Sequence, residues 1–201
     1  MGTVNVRRLL LCVLLISAPL VAQTGTETKR PAAIAPQFEA SVGYVYDSVS
    51  SASVPRIGLH GVDADGLMRL APRWAARIDL TFARAGNVAG TGYAEKHFSG
   101  MIGPVFYLMQ REKTEVFVHA LAGMAWVDSA VPISSTAYFK GYETRPSFAF
   151  GGAVERAISG PFAVRIGADY QRTTFVNSAL ALQGQNNLRV TTSLVYRFAN
   201  R

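Results

Sequence analysis

The chain has 201 residues and a formal net charge of +7, and its composition is 49% hydrophobic and 16% charged. This length is enough for one domain. No run of Lys and Arg exceeds two residues, so the positive charge does not indicate a nucleic-acid-binding protein.

The N-terminal residues have the pattern of a secretory signal. Arg7 and Arg8 precede an apolar run over residues 9–16, and small residues follow it. This run is too short for a transmembrane helix, which needs about 20 apolar residues. Residues 1–22 are therefore predicted to be a cleaved signal peptide, with a signal anchor as the alternative. Cys12 lies inside this segment, so the mature chain is expected to have no cysteine. Without the two arginines, 18 basic and 13 acidic residues remain, a charge of +5.

Segments of alternating apolar and polar residues recur eight times in the rest of the chain. Residues 23–36 precede them and are polar and rich in proline and alanine, which is typical of a flexible leader. In the clearest segment, Trp74 and Ile78 alternate with Arg77 and Asp79, the period-two pattern of a strand with two different faces. After a predicted loop at 48–55, the second predicted strand includes residues 62–69. The other predicted strands cover about 37–47, 74–83, 96–109, 115–128, 145–156, 162–174 and 188–198.

The connections between these segments are alternately long and short. Only a closed barrel can carry alternating strands through a bilayer, because every backbone polar group must be hydrogen-bonded inside the protein. The sequence therefore predicts an all-β protein, an eight-stranded antiparallel up-and-down transmembrane β-barrel over residues 37–201. Short turns and both termini are expected in the periplasm and long loops outside. The longest predicted loop, 129–143, is the expected surface for a partner, and another loop is predicted at 176–187.

Aromatic residues fall near the two ends of the predicted strands, as in the girdles of outer-membrane barrels. Phe117 is expected in the girdle at the short-turn end. The fourth segment is apolar on both faces, so the pattern does not assign its register. The main membrane-interface aromatics are predicted to be Phe38, Tyr44, Trp74, Phe82, Trp126, Tyr170, Tyr196 and Phe198.

Charged residues concentrate on the opposite face of the segments. Eight strands enclose an interior that side chains can just fill, and buried charges must be paired because an unpaired one is costly. The sequence therefore predicts a structural charge network that leaves no open channel, with a gated or proton-conducting pore as the alternative. The predicted members of this lumen charge network are Glu39, Asp63, Asp65, Arg69, Arg77, Asp79, Glu155, Arg165, Asp169, Arg189 and Arg197.

Five motifs resemble a known family. They are FSGMIGP from Phe98, VFVHALAG from Val116, FAFGG from Phe148, ADYQRTTF from Ala168 and QNNLRVTTSLVYRF from Gln185. Together they resemble the small outer-membrane β-barrel domain family, which has an OmpA-like eight-stranded barrel. The resemblance implies the fold and an outer-membrane location but little chemistry. Because the sequence stops at residue 201, a peptidoglycan-binding domain after the barrel is not expected.

The last segment is similar to the assembly signal of such barrels. It ends in Tyr196, Arg197 and Phe198, although Ser193 stands where the signal usually has glycine. The expected partners are therefore the barrel assembly machinery, through the C-terminal strand, and outer-membrane lipids and lipopolysaccharide. No nucleic-acid partner is expected, and the protein is expected to be a monomer.

Two other classes of function remain open. A periplasmic lipocalin-like carrier also has eight antiparallel strands, but it turns apolar side chains inward around a hydrophobic ligand. An outer-membrane lipid A deacylase uses a His-x-Ser pair, here His97 and Ser99, with Glu95 available to orient the histidine. His60, His97 and His119 lie on three different strands, so no metal site and no cofactor are expected. The favoured expectation is a non-enzymatic integral outer-membrane protein with a structural or surface-loop interaction role.

Overall fold

Eight strands form where the sequence alternates between apolar and polar residues. The computed structural model describes residues 38–50, 56–87, 92–132, 138–176 and 182–198. Each strand pairs antiparallel with the next, and the first pairs with the last, so the sheet closes into a barrel. The predicted fold class is confirmed. The strands are β1 (Phe38–Val49), β2 (Ile57–Ala71), β3 (Trp74–Ala85), β4 (Glu95–Gln110), β5 (Thr114–Pro132), β6 (Tyr138–Ser159), β7 (Phe162–Val176) and β8 (Leu182–Phe198).

The barrel is the domain that the described residues form, and they contain no peptidoglycan-binding domain. Among these residues, no helix is long and apolar enough to cross a membrane. The signal peptide predicted at 1–22, with Cys12, and the leader predicted at 23–36 lie outside the described residues and stay predictions.

The two faces of the barrel wall differ in chemistry. In β3, the side chains of Trp74 and Ile78 are 50% and 51% exposed on the outer face, whereas Arg77 and Asp79 are 3% and 0% exposed in the interior. The same alternation of exposed and buried positions runs along the other strands. The barrel is thus apolar outside and charged inside, the arrangement that a lipid environment favours.

The structure assigns the register of β4, which the sequence pattern leaves open. Phe98 and Ile102 are exposed on the outer face, while Met101 and Tyr107 are buried in the interior. The inward apolar residues of β4 extend an apolar cluster toward the short-turn end of the lumen. This cluster consists of Leu67, Ala75, Val105, Tyr107, Phe117 and Ala153.

Two of the loops are shorter in the structure than predicted. The bounds predicted for the loop at 129–143 are wrong, because β5 and β6 remain paired as far as Pro132 and Tyr138. The loop predicted at 176–187 is wrong for the same reason, since Val176 pairs with Leu182. The paired strands continue past the point where the apolar and polar residues stop alternating. Alternation ends there because a strand that has left the bilayer has no lipid-facing side.

The β5–β6 hairpin is longer than a membrane crossing requires. A tilted transmembrane strand needs about 9–11 residues, whereas β5 has 19 residues and β6 has 22. β5 begins at Thr114 and β6 ends at Ser159, and both of these residues lie next to short turns. The excess length therefore projects from the long-loop end.

Candidate functional site

The interior of the barrel holds the predicted lumen charge network. Its members lie on β1, β2, β3, β6, β7 and β8, and all of them face the interior. Most are almost completely buried, whereas Arg197, whose side chain is 32% exposed, lies at the mouth on the short-turn side. The network can be followed through its arginines, most of which meet carboxylates from more than one strand.

Arg165 joins carboxylates from three different strands. Its Nε donates to Glu155 Oε2 at 2.8 Å, its Nη2 to Glu39 Oε2 at 2.9 Å and its Nη1 to Asp65 Oδ1 at 2.6 Å. The guanidinium is only 2% exposed, so all three pairs are shielded from water. Charged hydrogen bonds of this kind are stronger than neutral ones, and the planar guanidinium group can hold several acceptors at once.

A second cluster closes the short-turn mouth of the lumen. Arg197 Nη2 donates to Glu155 Oε1 at 2.6 Å and to Glu115 Oε2 at 3.2 Å. Arg69 Nη2 donates to Glu115 Oε1 at 3.0 Å, and its guanidinium carbon lies 4.2 Å from the centre of the Tyr107 ring. Glu115 therefore links two arginines, although it is not among the predicted members of the network.

The middle of the lumen is held by Arg77 and Arg189. Arg77 Nη2 lies 2.8 Å from Asp79 Oδ2 and 3.4 Å from Asp65 Oδ2. Arg189 Nη1 donates to Asp79 Oδ1 at 2.7 Å, and its Nη2 donates to Asp169 Oδ2 at 2.6 Å. Because Asp65 also binds Arg165, the ion pairs form one connected system along the barrel.

Asp63 is attached to this system through a hydroxyl group. Thr81 Oγ1 donates to Asp63 Oδ2 at 2.9 Å and lies 2.6 Å from Arg189 Nη1, which donates to it. Asp63 is 0% exposed, and its Oδ1 has no hydrogen-bond partner among the described residues. Asp63 lies in the middle of β2, opposite Thr81 of β3, so the connected system extends at least to the middle of the barrel.

His119 links Arg77 to Asp169 in the middle of the lumen. Its Nδ1 lies 3.4 Å from Arg77 Nη1, and its Nε2 lies 2.8 Å from Asp169 Oδ1. Gly151 makes room for this pair, because a Cβ there would overlap the Asp169 carboxylate and the backbone of β7.

Three carboxylates in the lumen lie close enough to suggest a cation site. Oxygens of Glu39, Glu115 and Glu155 are all within 4.8 Å of one another. Arg165 and Arg197, however, already bind these oxygens, with Arg165 Nη2 at 2.6 Å from Glu155 Oε2. The cluster is therefore explained by its ion pairs.

The outer wall carries aromatic contacts toward both ends of the barrel. At the short-turn end, ring centroids are 4.8 Å apart for Tyr196 and Phe198 and 4.9 Å apart for Trp74 and Phe106. At the other end, Phe98 lies 5.1 Å from Trp126. Trp126 is half-buried, and the remaining predicted interface aromatics are exposed on the outer face, namely Phe38, Tyr44, Trp74, Phe82, Tyr170, Tyr196 and Phe198.

Phe117 is not part of this girdle, and the prediction that places it there is wrong. It is 1% exposed inside the lumen and makes an edge-on contact with Tyr107 at 5.5 Å. It occupies an odd-numbered position on β5, the same face as Glu115 and His119, so the period-two rule itself places it inward.

Solved structures with the same fold come from bacterial outer membranes. Neisserial surface protein A has a TM-score of 0.64 and 12% identity, and the match covers 80% of this chain and 97% of that one. Ail, the attachment invasion locus protein of Yersinia pestis, has a TM-score of 0.56 and 18% identity over 81% and 99% of the two chains. A major outer-membrane protein from Thermus thermophilus has a TM-score of 0.54 and 10% identity over 82% and 100%.

The fold is that of small outer-membrane β-barrels. No protein-family model and no curated protein matches the chain. The structural neighbours support the outer-membrane location that the sequence predicts, and they agree with the fold implied by the family resemblance.

The orientation of the side chains bears on the soluble carrier. A lipocalin-like protein has an apolar interior and a polar surface, whereas this barrel exposes Ile78, Leu80 and Ile102 and buries Arg165 and Arg189. The charged interior has no resemblance to a pocket for a hydrophobic ligand. The structure therefore argues against the carrier.

The deacylase alternative also disagrees with the geometry. His97 and Ser99 are 8% and 6% exposed and face the interior, where the acyl chains of a membrane lipid do not reach. His97 lies between two carboxylates, with Nδ1 at 3.6 Å from Asp47 Oδ2 and Nε2 at 3.3 Å from Glu95 Oε1. The prediction that Glu95 shares a face with His97 agrees with this contact, but the group is an interior charge cluster at the long-loop end.

Sequence reasoning missed several interior polar groups. Glu115 lies at the start of β5 beside a charged turn, so composition alone does not separate a lumen charge from a turn charge. His119 and Asp47 share the inward face of their strands, a signal that the period-two pattern carries. The pattern places Glu115 and His119 on one face of β5, but neither is among the predicted members of the network.

Proposed function

We propose that the protein is a monomeric, non-enzymatic outer-membrane barrel with a plugged lumen, whose role is structural or is exercised by its surface loops. The observation that carries this proposal is the connected charge network, which runs from Glu115 at the short-turn mouth to Asp63 in the middle of β2. The network crosses the lumen at several levels, which supports a plugged barrel.

The ion pairs favour a closed state of the lumen. Opening a path for water would separate Arg165 from three carboxylates and Arg189 from Asp79 and Asp169. Removing one partner from a buried pair leaves an uncompensated charge, which costs about 3–5 kcal/mol. Several such pairs would have to break together, which supports a plugged barrel over a gated pore.

The surface role rests on the β5–β6 hairpin. It projects from the long-loop end, and on its outer face Tyr142 is 70% exposed. Exposed aromatic side chains are common anchors in protein interfaces. This hairpin is therefore the proposed contact surface for an extracellular partner.

The C-terminal strand supports the proposed route of assembly. Tyr196 and Phe198 are exposed on the outer face of β8, next to Phe162 and Phe38. An aromatic strand end of this type is what the predicted partnership with the barrel assembly machinery requires. The proposal assigns that partnership to β8.

Conductance in planar bilayers tests the plugged lumen. The purified, refolded barrel is added to bilayers at neutral pH, and a sixteen-stranded porin serves as the positive control. We expect the porin to give regular conductance steps and this protein to give none, because ion pairs fill its interior. Reproducible steps from the refolded barrel would show that the lumen conducts and would overturn the plugged state.

A further inference from the structure

Three basic side chains lie side by side on the outer face near the long-loop end. His60 on β2 pairs in register with Arg84 on β3, and Arg84 pairs with Lys96 on β4. All three side chains are exposed. They form a patch on neighbouring strands, which we call the outer basic patch.

The outer basic patch lies directly beyond the aromatic girdle. One outward position closer to the bilayer, Phe82 pairs with Phe98, and Phe98 pairs with Trp126. Phe82 and Phe98 are 47% and 41% exposed. Girdle aromatics mark the boundary between acyl chains and head groups, so the next outward positions reach the head groups.

The positive charge of the patch is only partly balanced by the protein. Arg84 makes no hydrogen bond or ion pair in the described part of the chain, unlike the buried arginines of the lumen. Lys96 Nζ lies 3.3 Å from Asp128 Oδ2, but both side chains are about half exposed, and such surface pairs are weak. The His60 ring contacts the Tyr44 hydroxyl through Nδ1. An anion can therefore approach Arg84 and Lys96 together.

We propose that the outer basic patch binds the phosphate group of a phosphorylated glycolipid of the outer leaflet, of the lipid A class. The guanidinium of Arg84 offers paired donors that match a phosphate, and Lys96 adds a second positive charge. Phe82 and Phe98 offer an apolar surface below the phosphate for the acyl chains. The inference rests on the proposed outer-membrane function and assigns its lipid contact to named residues.

The charge-neutralising variant Arg84→Ala/Lys96→Ala tests the site. Binding of lipid A to the refolded barrel in phosphatidylcholine nanodiscs is measured for this variant and for Arg111→Ala/Lys113→Ala. The control removes the same charge from an exposed short turn at the other end. We expect the first variant to bind lipid A about tenfold more weakly, because each basic residue near a charged lipid surface adds measurably to affinity, and the control to change less than about twofold.

Further arms identify the bound group. Dephosphorylated lipid A should bind the wild-type barrel about as weakly as phosphorylated lipid A binds the Arg84→Ala/Lys96→Ala variant. The variant Arg84→Lys/Lys96→Arg keeps both positive charges, so it should keep most of the affinity for phosphorylated lipid A. Equal losses in both alanine variants, equal binding of dephosphorylated lipid A, or displacement by millimolar inorganic phosphate would each overturn a lipid phosphate site. Loss of heat-modifiable gel mobility would instead report a misfolded barrel, so failure of the site and failure of the barrel proposal are distinguishable.

Discussion

Arg165 is the residue on which the short-turn half of the lumen depends. Its guanidinium holds Glu39, Asp65 and Glu155, which lie on three different strands. Asp65 in turn reaches Arg77, so the effect of Arg165 extends to the middle of the lumen. A buried ion pair adds little over an apolar pair of the same shape, but loss of one partner is costly.

Replacement of Arg165 by Met should therefore destabilise the barrel by about 3–5 kcal/mol, since three buried carboxylates lose a partner. Urea unfolding of the refolded protein in lipid vesicles measures the change. Arg172→Met is the control, because Arg172 is an exposed arginine on the same strand. Adding Glu155→Gln to Arg165→Met should recover part of the loss. An effect no larger than that of the control would show that the ion pairs do not hold the lumen together.

Among the strands, β3 shows the two faces of the barrel wall most clearly. Its outward residues are apolar, and its inward residues include Arg77 and Asp79. Leu80 lies near the middle of the strand and is 47% exposed, whereas Leu70 lies near the short-turn end of β2 and is 61% exposed. In water these two leucines are equivalent surface residues, but in a bilayer they lie at different depths.

Leu80→Arg should cost about 2–4 kcal/mol, and Leu70→Arg about 0–1 kcal/mol, because an arginine on the lipid face is most costly at the bilayer midplane. Unfolding free energies of both variants in lipid vesicles provide the measurement. Similar small effects at the two positions would indicate a wall that faces water, as in a soluble carrier.

The elements differ in how far their sequences determine them. β3 and β7 alternate strongly, so their extents and faces follow from the pattern. β4 is apolar on both faces, because its inward side packs in an apolar cluster of the lumen, and only the registers with β3 and β5 assign it. β5 and β6 continue beyond the bilayer, where no constraint maintains alternation. Pairing partners inside the lumen, such as Arg165 with Asp65 at a separation of 100 residues, depend on the closed barrel and not on local sequence.

In the molecule as a whole, the apolar outer wall and the charged interior both depend on closure of the sheet into a barrel. Closure of β1 onto β8 removes free sheet edges, so every strand satisfies its backbone inside the barrel. The same closure brings charged side chains from seven strands into contact. One of the seven is β5, which contributes Glu115 and His119. A barrel of this size can then be filled by its own side chains.

The gel mobility of unheated and boiled samples, after fractionation of expressing cells, tests the outer-membrane barrel most directly. We expect the protein in the outer-membrane fraction, and we expect the unheated form to migrate differently from the boiled form, because a closed barrel resists detergent until it is heated. A protein found in the soluble fraction, with the same mobility before and after boiling, would contradict the outer-membrane barrel.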